Sequence, residues 1–151
     1  EQCLIKPYDF QGEDLLEIIN GSAVEIKSST FDGKGQYGGI SATGTRLSLF
    51  SVTFKNTNKG RAVYNSVDLH AEDCIFNNCN GGAIYGSRAL IKNSTFVNCR
   101  AERGGACYLA GSKGLIKRCT FEKCVAMIEG GAISRFGNYQ IEECTYDECE
   151  P

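Results

Sequence analysis

The sequence lacks the features that several functional classes require. It contains no tryptophan, two prolines and a single histidine. Because His70 is the only histidine and has no cysteine beside it in the sequence, we expect no cysteine–histidine pair for nucleophilic catalysis. Acidic and basic residues are interspersed and the net charge is −2, so no basic stripe exists for nucleic acid or for an anionic membrane surface. We expect neither nucleic acid nor a membrane as a partner.

Long apolar runs are also missing. No stretch approaches the roughly 18 residues that a bilayer span requires, and the N-terminal "EQCLIKPYDF" lacks the charged-then-apolar order of a signal peptide. The sequence predicts a soluble chain, as a mature form without its targeting segment. Its 151 residues are about one domain with a real core.

Cysteine and glycine are abundant, with 9 and 18 residues. So many cysteines are unusual in the cytosol, where thiols are reduced and mostly catalytic or metal-bound. Two tripeptides, Asn20-Gly21-Ser22 and Asn93-Ser94-Thr95, are glycosylation sequons if the chain is secreted. These features favour an extracellular or cell-surface glycoprotein, with Asn20 and Asn93 as acceptor candidates.

A repeat organises most of the chain. One aromatic residue recurs every 20 to 25 residues, each time after a short alternating stretch such as "GLIKRCTF". A second marker, Gly-Gly-Ala or a close variant such as Gly60-Arg61-Ala62, lies between successive aromatics. The recurring aromatics are Phe31, Phe54, Phe76, Phe96, Phe121 and Tyr146.

The period of the repeat distinguishes strands from helices. Apolar and polar residues alternate with a period of two before each aromatic, as expected for strands. Units of this length are too short for paired helices, and paired glycines would break a helix interior. We therefore predict an all-β fold, a right-handed parallel β-helix (solenoid) of about six rungs, in which the aromatics form one interior stack.

The repeat resembles a known group of surface proteins. Gly-Gly-Ala-Ile occurs at 81–84 and 130–133, together with Phe-x-x-Asn-like steps after the aromatics. This pattern is similar to the repeats of polymorphic outer-membrane-protein passenger domains and related surface β-helix proteins. The resemblance covers residues 29 to 150 and implies the same fold. The last position of the step, where that family more often has Asn, holds Thr57, Cys79, Cys99, Cys124 and Cys149.

Eight of the nine cysteines lie on or near repeat columns. Cys-x4-Cys does not match zinc-knuckle or thioredoxin-like spacing. Equivalent residues on adjacent rungs have Cα atoms near 5 Å apart, within the range of a disulfide. We predict disulfides rather than reduced, buried thiols, which remain the alternative. Bridges such as Cys79–Cys99, Cys124–Cys149 and Cys119–Cys144, or a local Cys74–Cys79 bridge, are candidates; the odd Cys3 is predicted to be free or intersubunit.

The N-terminal region is predicted to cap the solenoid. In "GEDLLEIING", residues 12–21, early acidic residues and a terminal glycine predict a short capping helix, with a strand as the alternative. We divide the single domain into a cap with the first strand (1–28) and the β-helix repeats (29–151). Exposed strand edges at the ends of such a rod favour head-to-tail assembly.

Candidate active-site residues are sparse. The position before the glycines holds Lys59, Asn80, Arg103 and Glu129, a mixture typical of a solvated face. The longer loop with Arg100, Glu102 and Arg103 is a weak binding candidate. No calcium-binding repeat occurs, and one threonine column is insufficient evidence for ice binding. We predict no metal, no cofactor and no catalytic residue.

These observations predict a non-enzymatic extracellular structural or adhesive protein. Its expected partners are other copies of itself, stacked end to end into a filament stabilised by disulfides, or other surface proteins and glycans. The alternative is a carbohydrate-binding or polysaccharide-cleaving β-helix that uses polar side chains on one outer face.

Overall fold

The computed structural model describes residues 3–5, 14–21 and 23–150. Its regular secondary structure is entirely β in these ranges, and the strands pair in parallel with their equivalents one repeat away. The first face of the solenoid is a seven-stranded sheet that carries the aromatic positions. Its strands, in spatial order, are β1 (Cys3–Ile5), β4 (Ser29–Asp32), β7 (Thr53–Lys55), β9 (Ile75–Asn77), β11 (Thr95–Val97), β15 (Thr120–Glu122) and β19 (Thr145–Asp147).

The other two faces are continuous because two long strands bend around the corner between them. The second face contains β2 (Asp14–Ile19), β5 (Gly38–Thr43), β8 (Val63–Glu72), β10 (Ile84–Lys92), β13 (Cys107–Leu109) and β17 (Ile133–Arg135). The third face consists of the later halves of β8 and β10 with β3 (Ala23–Lys27), β6 (Arg46–Phe50), β14 (Lys113–Lys117) and β18 (Asn138–Glu142). A separate pair is formed by β12 (Arg100–Arg103) and β16 (Val125–Glu129).

The interior aromatic stack is confirmed. Five phenylalanines, from Phe31 to Phe121, are fully buried, and neighbouring rings along the column have centroids 4.8 to 5.2 Å apart with interplanar angles of 12° or less. Tyr146 continues the stack but is 51% exposed. Together with the parallel in-register pairing, the stack confirms the all-β parallel β-helix predicted from the repeat.

Asparagines organise the turn that follows each aromatic strand. Asn56, Asn78 and Asn98 have φ between 52° and 58°, the left-handed region that asparagine tolerates better than most residues. Their amides form a ladder along the solenoid, with Nδ2 of Asn78 donating to Oδ1 of Asn56 at 3.0 Å and Asn98 donating to Asn78 at 3.2 Å. The ladder starts at Asp32, which accepts from Asn56. Each rung therefore fixes the turn of the next.

The Gly-Gly-Ala segments lie where two rungs approach each other closely. A Cβ atom added at Gly105 would lie 2.2 Å from the carbonyl oxygen of Gly131 on the next rung and 2.6 Å from that of Val125. Both are backbone atoms, which cannot move aside as the end of a flexible side chain could. The glycine is required for contact between rungs rather than for a turn conformation.

The predicted capping helix is wrong for the described residues 14–21. Asp14–Ile19 is strand β2, which pairs in parallel with Gly38–Thr43 of β5. Glu17 and Ile19 are exposed, whereas Leu16 and Ile18 are half-buried against the core, so burial follows a period of two. A strand here satisfies the backbone groups of the adjoining rung, which a helix would leave unpaired. Residues 12 and 13 lie outside the described ranges.

The predicted division at residues 28 and 29 separates segments that pair with each other. Strands β1, β2 and β3 before it are hydrogen-bonded to β4, β5 and β6 after it. The residues before the division therefore contribute a rung of the same solenoid.

Candidate functional site

The cysteines that were predicted to form disulfides are free thiols in the structure. The eight cysteines from Cys74 to Cys149 are all unbridged, and six of them are buried. They do stack in columns, as predicted: Cys79, Cys99, Cys124 and Cys149 occupy the position three after the aromatic on successive rungs. The side chain of Cys3 lies outside the described part, so its pairing stays a prediction.

Backbone carbonyls are hydrogen-bond partners of these thiols. Cys124 lies 3.6 Å from the carbonyl oxygen of Phe96 on the preceding rung and 3.5 Å from that of Glu122 on its own rung. In the other column, Cys119 makes the same contact with Lys117 at 3.4 Å that the Ser94 hydroxyl makes with Lys92 at 2.7 Å. Cysteine thus fills a small, buried position that needs one donor.

Rung-to-rung bridges are disfavoured by the direction of the side chains. In register on parallel strands, equivalent Cβ atoms stay about as far apart as the strands, ~4.8 Å, whereas a disulfide needs a Cβ separation of ~3.8 Å. None of the predicted bridges forms among the described cysteines. Cys74 is flanked in its column by Val52 and Ser94, and it lies at the opposite end of β9 from Cys79.

The burial of the thiols predicts low reactivity. Burial raises the pKa of Cys74 and of Cys119 to about 11, so at pH 8 only about one molecule in a thousand carries the reactive thiolate at either site. We expect iodoacetamide to modify the half-buried Cys144 and Cys149 first, and the buried six only after unfolding. Peptide mass spectrometry of the native protein, alkylated with and without reductant, measures this. Peptides joined by disulfides before reduction would contradict it.

Both sequon asparagines are exposed. Asn20 and Asn93 have positive φ, 53° and 48°, at turns between strands. Ser94, inside the second sequon, is buried and donates to Lys92. Glycosylation at either site stays a prediction.

The longer loop predicted near Arg100 is in fact regular structure. Arg100–Arg103 forms β12 and pairs with β16 on the following rung. Arg103 stacks on Glu129 and forms an ion pair with it at 3.1 Å. These partly exposed charges stabilise a local strand pair, consistent with the predicted solvated face.

A groove of about 890 Å³ lies on the outer side of the third face, and the sequence analysis missed it. It crosses the strands β6, β8, β10, β14 and β18, one on each of five rungs. Two columns of outward side chains line it, at positions eight and six residues before each aromatic. They are Arg46, Asp68, Arg88, Lys113 and Asn138, and beside them Ser48, His70, Leu90, Leu115 and Gln140.

In the column that begins with Arg46, the side chains at the N-terminal end form ion pairs, whereas the lysine toward the C-terminal end forms none with a described residue. Arg88 forms a bidentate ion pair with Asp68: its Nε lies 2.6 Å from Oδ1 and its Nη2 donates to Oδ2 at 2.9 Å. Arg46 reaches the same carboxylate from the preceding rung at 3.5 Å. Lys113, on the rung after Arg88, has no ion pair with any described residue. Positive charge is therefore uncompensated toward the C-terminal end of the groove.

The floor of the groove is apolar at its centre. Leu90 and Leu115 stack on adjacent rungs and are half-buried. Beneath them Gly114 leaves room for the buried ring of Tyr139, since a Cβ at residue 114 would lie 2.4 Å from its Cε1 atom. Tyr139 donates its hydroxyl hydrogen to the carbonyl of Ser87 at 2.6 Å. This packing makes the floor rigid.

A second feature that the sequence analysis missed is an outer tyrosine ladder on the second face. Tyr64, Tyr85 and Tyr108 lie two residues after the alanine of three successive markers, and their ring centroids are 4.8 and 5.6 Å apart. The rings of Tyr64 and Tyr85 are stacked, with an interplanar angle of 14°, whereas that of Tyr108 is tilted by 39° from Tyr85. Arg61 lies beside them, 5.5 Å from the ring of Tyr108. A pocket of about 320 Å³ adjoins the first tyrosine.

The described part of the chain contains no cluster of three or more histidine, cysteine, aspartate or glutamate side chains placed to hold a metal ion. Among the same residues, no helix has the length and hydrophobicity that crossing a bilayer requires.

Comparison with known proteins identifies the family. A family model described as the right handed beta helix region matches residues 38–150. No curated protein and no solved structure gives a significant match to the chain. The family match agrees with the parallel in-register strands and confirms the predicted right-handed β-helix. Since it covers most of the chain, the protein belongs to the right-handed β-helix family.

Proposed function

We propose that this protein is a non-enzymatic adhesive module of the cell surface or extracellular space, and that the groove on the third face holds its partner. The groove itself carries the proposal. Its volume of about 890 Å³ lies within the range of ligand sites, ~300–1,000 Å³. It is built from five consecutive rungs, so it is straight and already formed without the partner.

The charges of the groove favour binding over cleavage. Hydrolysis of a glycosidic bond generally uses two carboxyl groups on opposite sides of the bond. The lining contains one carboxylate, that of Asp68, and this group is engaged by Arg88 and Arg46. A carboxylate already engaged by two guanidinium groups is not free to act on a glycosidic bond.

The proposed location rests on the sequons and on the resemblance to surface β-helix proteins. Asn20 and Asn93 are exposed and so accessible to a glycosyltransferase. Disulfides do not support the location, because the cysteine columns hold free thiols. End-to-end stacking, with Cys3 as an intersubunit link, stays a prediction that negative-stain electron microscopy of the native material tests.

A substitution in the groove floor tests the proposed function. We expect the immobilised protein to retain at least one ligand from an array of neutral and acidic polysaccharides and peptides. Leu115→Glu should weaken that binding about tenfold or more, because it places a carboxylate at the apolar contact. Ile75→Glu is the matched control: Ile75 is 47% exposed on the first face, away from the groove, and its variant should bind like the wild type.

Two results would overturn the proposal. One is equal binding by the Leu115→Glu and Ile75→Glu variants, with thermal unfolding confirming that both are folded. The other is release of reducing ends or of smaller fragments from a bound polysaccharide. That result would establish the polysaccharide-cleaving alternative instead.

A further inference from the structure

We infer that the groove takes an extended peptide segment rich in acidic and apolar residues, and that Asp68 limits its affinity. This inference rests on the proposed binding function and specifies its partner. It follows from the distribution of charge along the groove and from the chemistry of its floor.

The charge of the groove is opposite to that of the chain. Four cationic side chains, those of Arg46, Arg88, Lys113 and Arg135, line it with the single carboxylate of Asp68. The chain as a whole has a net charge of −2. Positive charge concentrated in a concave surface attracts anionic partners and repels cationic ones.

This charge is uneven along the axis. At the N-terminal end, Asp68 compensates Arg88 and Arg46. At the other end, Lys113 has no ion pair in the described part, and Arg135 donates to the carbonyl of Gly137 at 3.3 Å. An acidic side chain therefore gains most beside Lys113 and Arg135, and competes with Asp68 elsewhere.

The floor selects a peptide over a sugar polymer. Leu90 and Leu115 offer no hydrogen bond, so sugar hydroxyls pressed against them would lose water without a replacement partner. Apolar side chains of a peptide lose no hydrogen bonds there, and the contact buries apolar surface on the peptide and on the groove. An extended peptide along the solenoid axis contacts the leucines of one column and the cationic side chains of the other at the same time. The two columns lie side by side on the same strands.

Fluorescence anisotropy with two labelled peptides tests the inference. The first alternates Asp-Asp with Leu-Leu over twelve residues, and the second replaces each Asp by Asn. We expect tight binding of the acidic peptide alone, about threefold weaker for Lys113→Gln and about threefold tighter for Asp68→Asn, which frees two arginines but keeps the side-chain shape. Lys123→Gln, the same change at an exposed lysine outside the groove, should have no effect. Raising the salt concentration should reduce these differences.

The outcomes separate this inference from the proposed function. Equal binding of both peptides, or weaker binding by Asp68→Asn, would overturn the role of charge. Binding of carboxymethyl-dextran but not of the acidic peptide, with loss in Leu115→Glu, would overturn the peptide assignment and leave the adhesive function standing. Absence of any ligand, on the array as well as in solution, would overturn both.

Discussion

Phe76→Ala is expected to lower the free energy of unfolding by about 3–5 kcal/mol, the usual cost of truncating a buried phenylalanine. Phe76 is fully buried between Phe54 and Phe96, with ring centroids 5.1 and 4.8 Å away. The cavity cannot close, because ladder hydrogen bonds on both sides of β9 fix the spacing of the flanking rungs. Chemical denaturation followed by far-ultraviolet circular dichroism measures the change.

Tyr146→Ala provides the matched control. Tyr146 belongs to the same column but is 51% exposed and stacks on Phe121 alone among the described rings. Its truncation should cost about 1 kcal/mol, because much less surface leaves water on folding. Hydrogen exchange should show the effect of Phe76→Ala concentrated in the adjacent rungs, since each repeat contacts only its neighbours. Equal destabilisation by the two substitutions would contradict the stack's role as the core.

The fold was predictable because burial of one aromatic ring is repeated from rung to rung. Each aromatic strand buries one aromatic ring, so Phe54, Phe76 and Phe96 recur at equivalent positions of the sequence repeat and are all fully buried. The segment at Asp14–Ile19 has no such aromatic. Its local pattern of acids and leucines favours a helix, and pairing with β5 overrides that preference. Such pairing is not visible until the neighbouring rung is placed.

The candidate site was recoverable in principle but was overlooked. The positions six and eight residues before each aromatic keep a constant offset, and they place Leu90 above Leu115 and Arg88 beside Lys113. These outward columns contain the apolar floor and the excess of positive charge, and both are present in the sequence at that offset. The concavity of the groove depends on the bend of the long strands and on the packing of Tyr139 under Gly114. Neither is encoded in a local pattern.

The cysteine columns exist as predicted, but neighbouring thiols in them are not bridged in the structure. Ser94 occupies the same column as Cys119 and makes the same type of contact with the backbone. That interchange of serine and cysteine was the available indication that the position needs a small donor rather than a partner sulfur.

Arg61→Ala is expected to destabilise the protein by about 3 kcal/mol or more, because each buried acceptor left unpaired costs about 1–3 kcal/mol. Arg61 replaces the second glycine of one Gly-Gly-Ala marker, and burial lowers its pKa from the ordinary value. Its guanidinium donates to three backbone carbonyls on two later rungs, which ties those rungs together. The acceptors are Ile84 and Gly104, both at 3.1 Å from Nη1, and Arg103 at 2.7 Å from Nη2.

Arg61→Lys separates charge from geometry. A lysine retains the positive charge but lacks the planar fork that reaches three carbonyls at once. Its cost should therefore fall between those of the wild type and of Arg61→Ala in the same denaturation experiment. A lysine variant as stable as the wild type would show that charge alone accounts for the role of Arg61.

Gly82, which lies against the Arg61 guanidinium on the next rung, gives a stricter test of its role. A Cβ atom at Gly82 would lie 2.4 Å from Nη1 of Arg61, and Gly82 has a φ of 98°. Gly82→Ala therefore carries a steric cost that depends on Arg61 and a backbone cost that does not. In a double-mutant cycle, we expect Gly82→Ala to cost at least about 0.5 kcal/mol less in the Arg61→Ala background. Strict additivity would mean that the guanidinium moves aside freely, and its three carbonyl contacts would then not hold the rungs together.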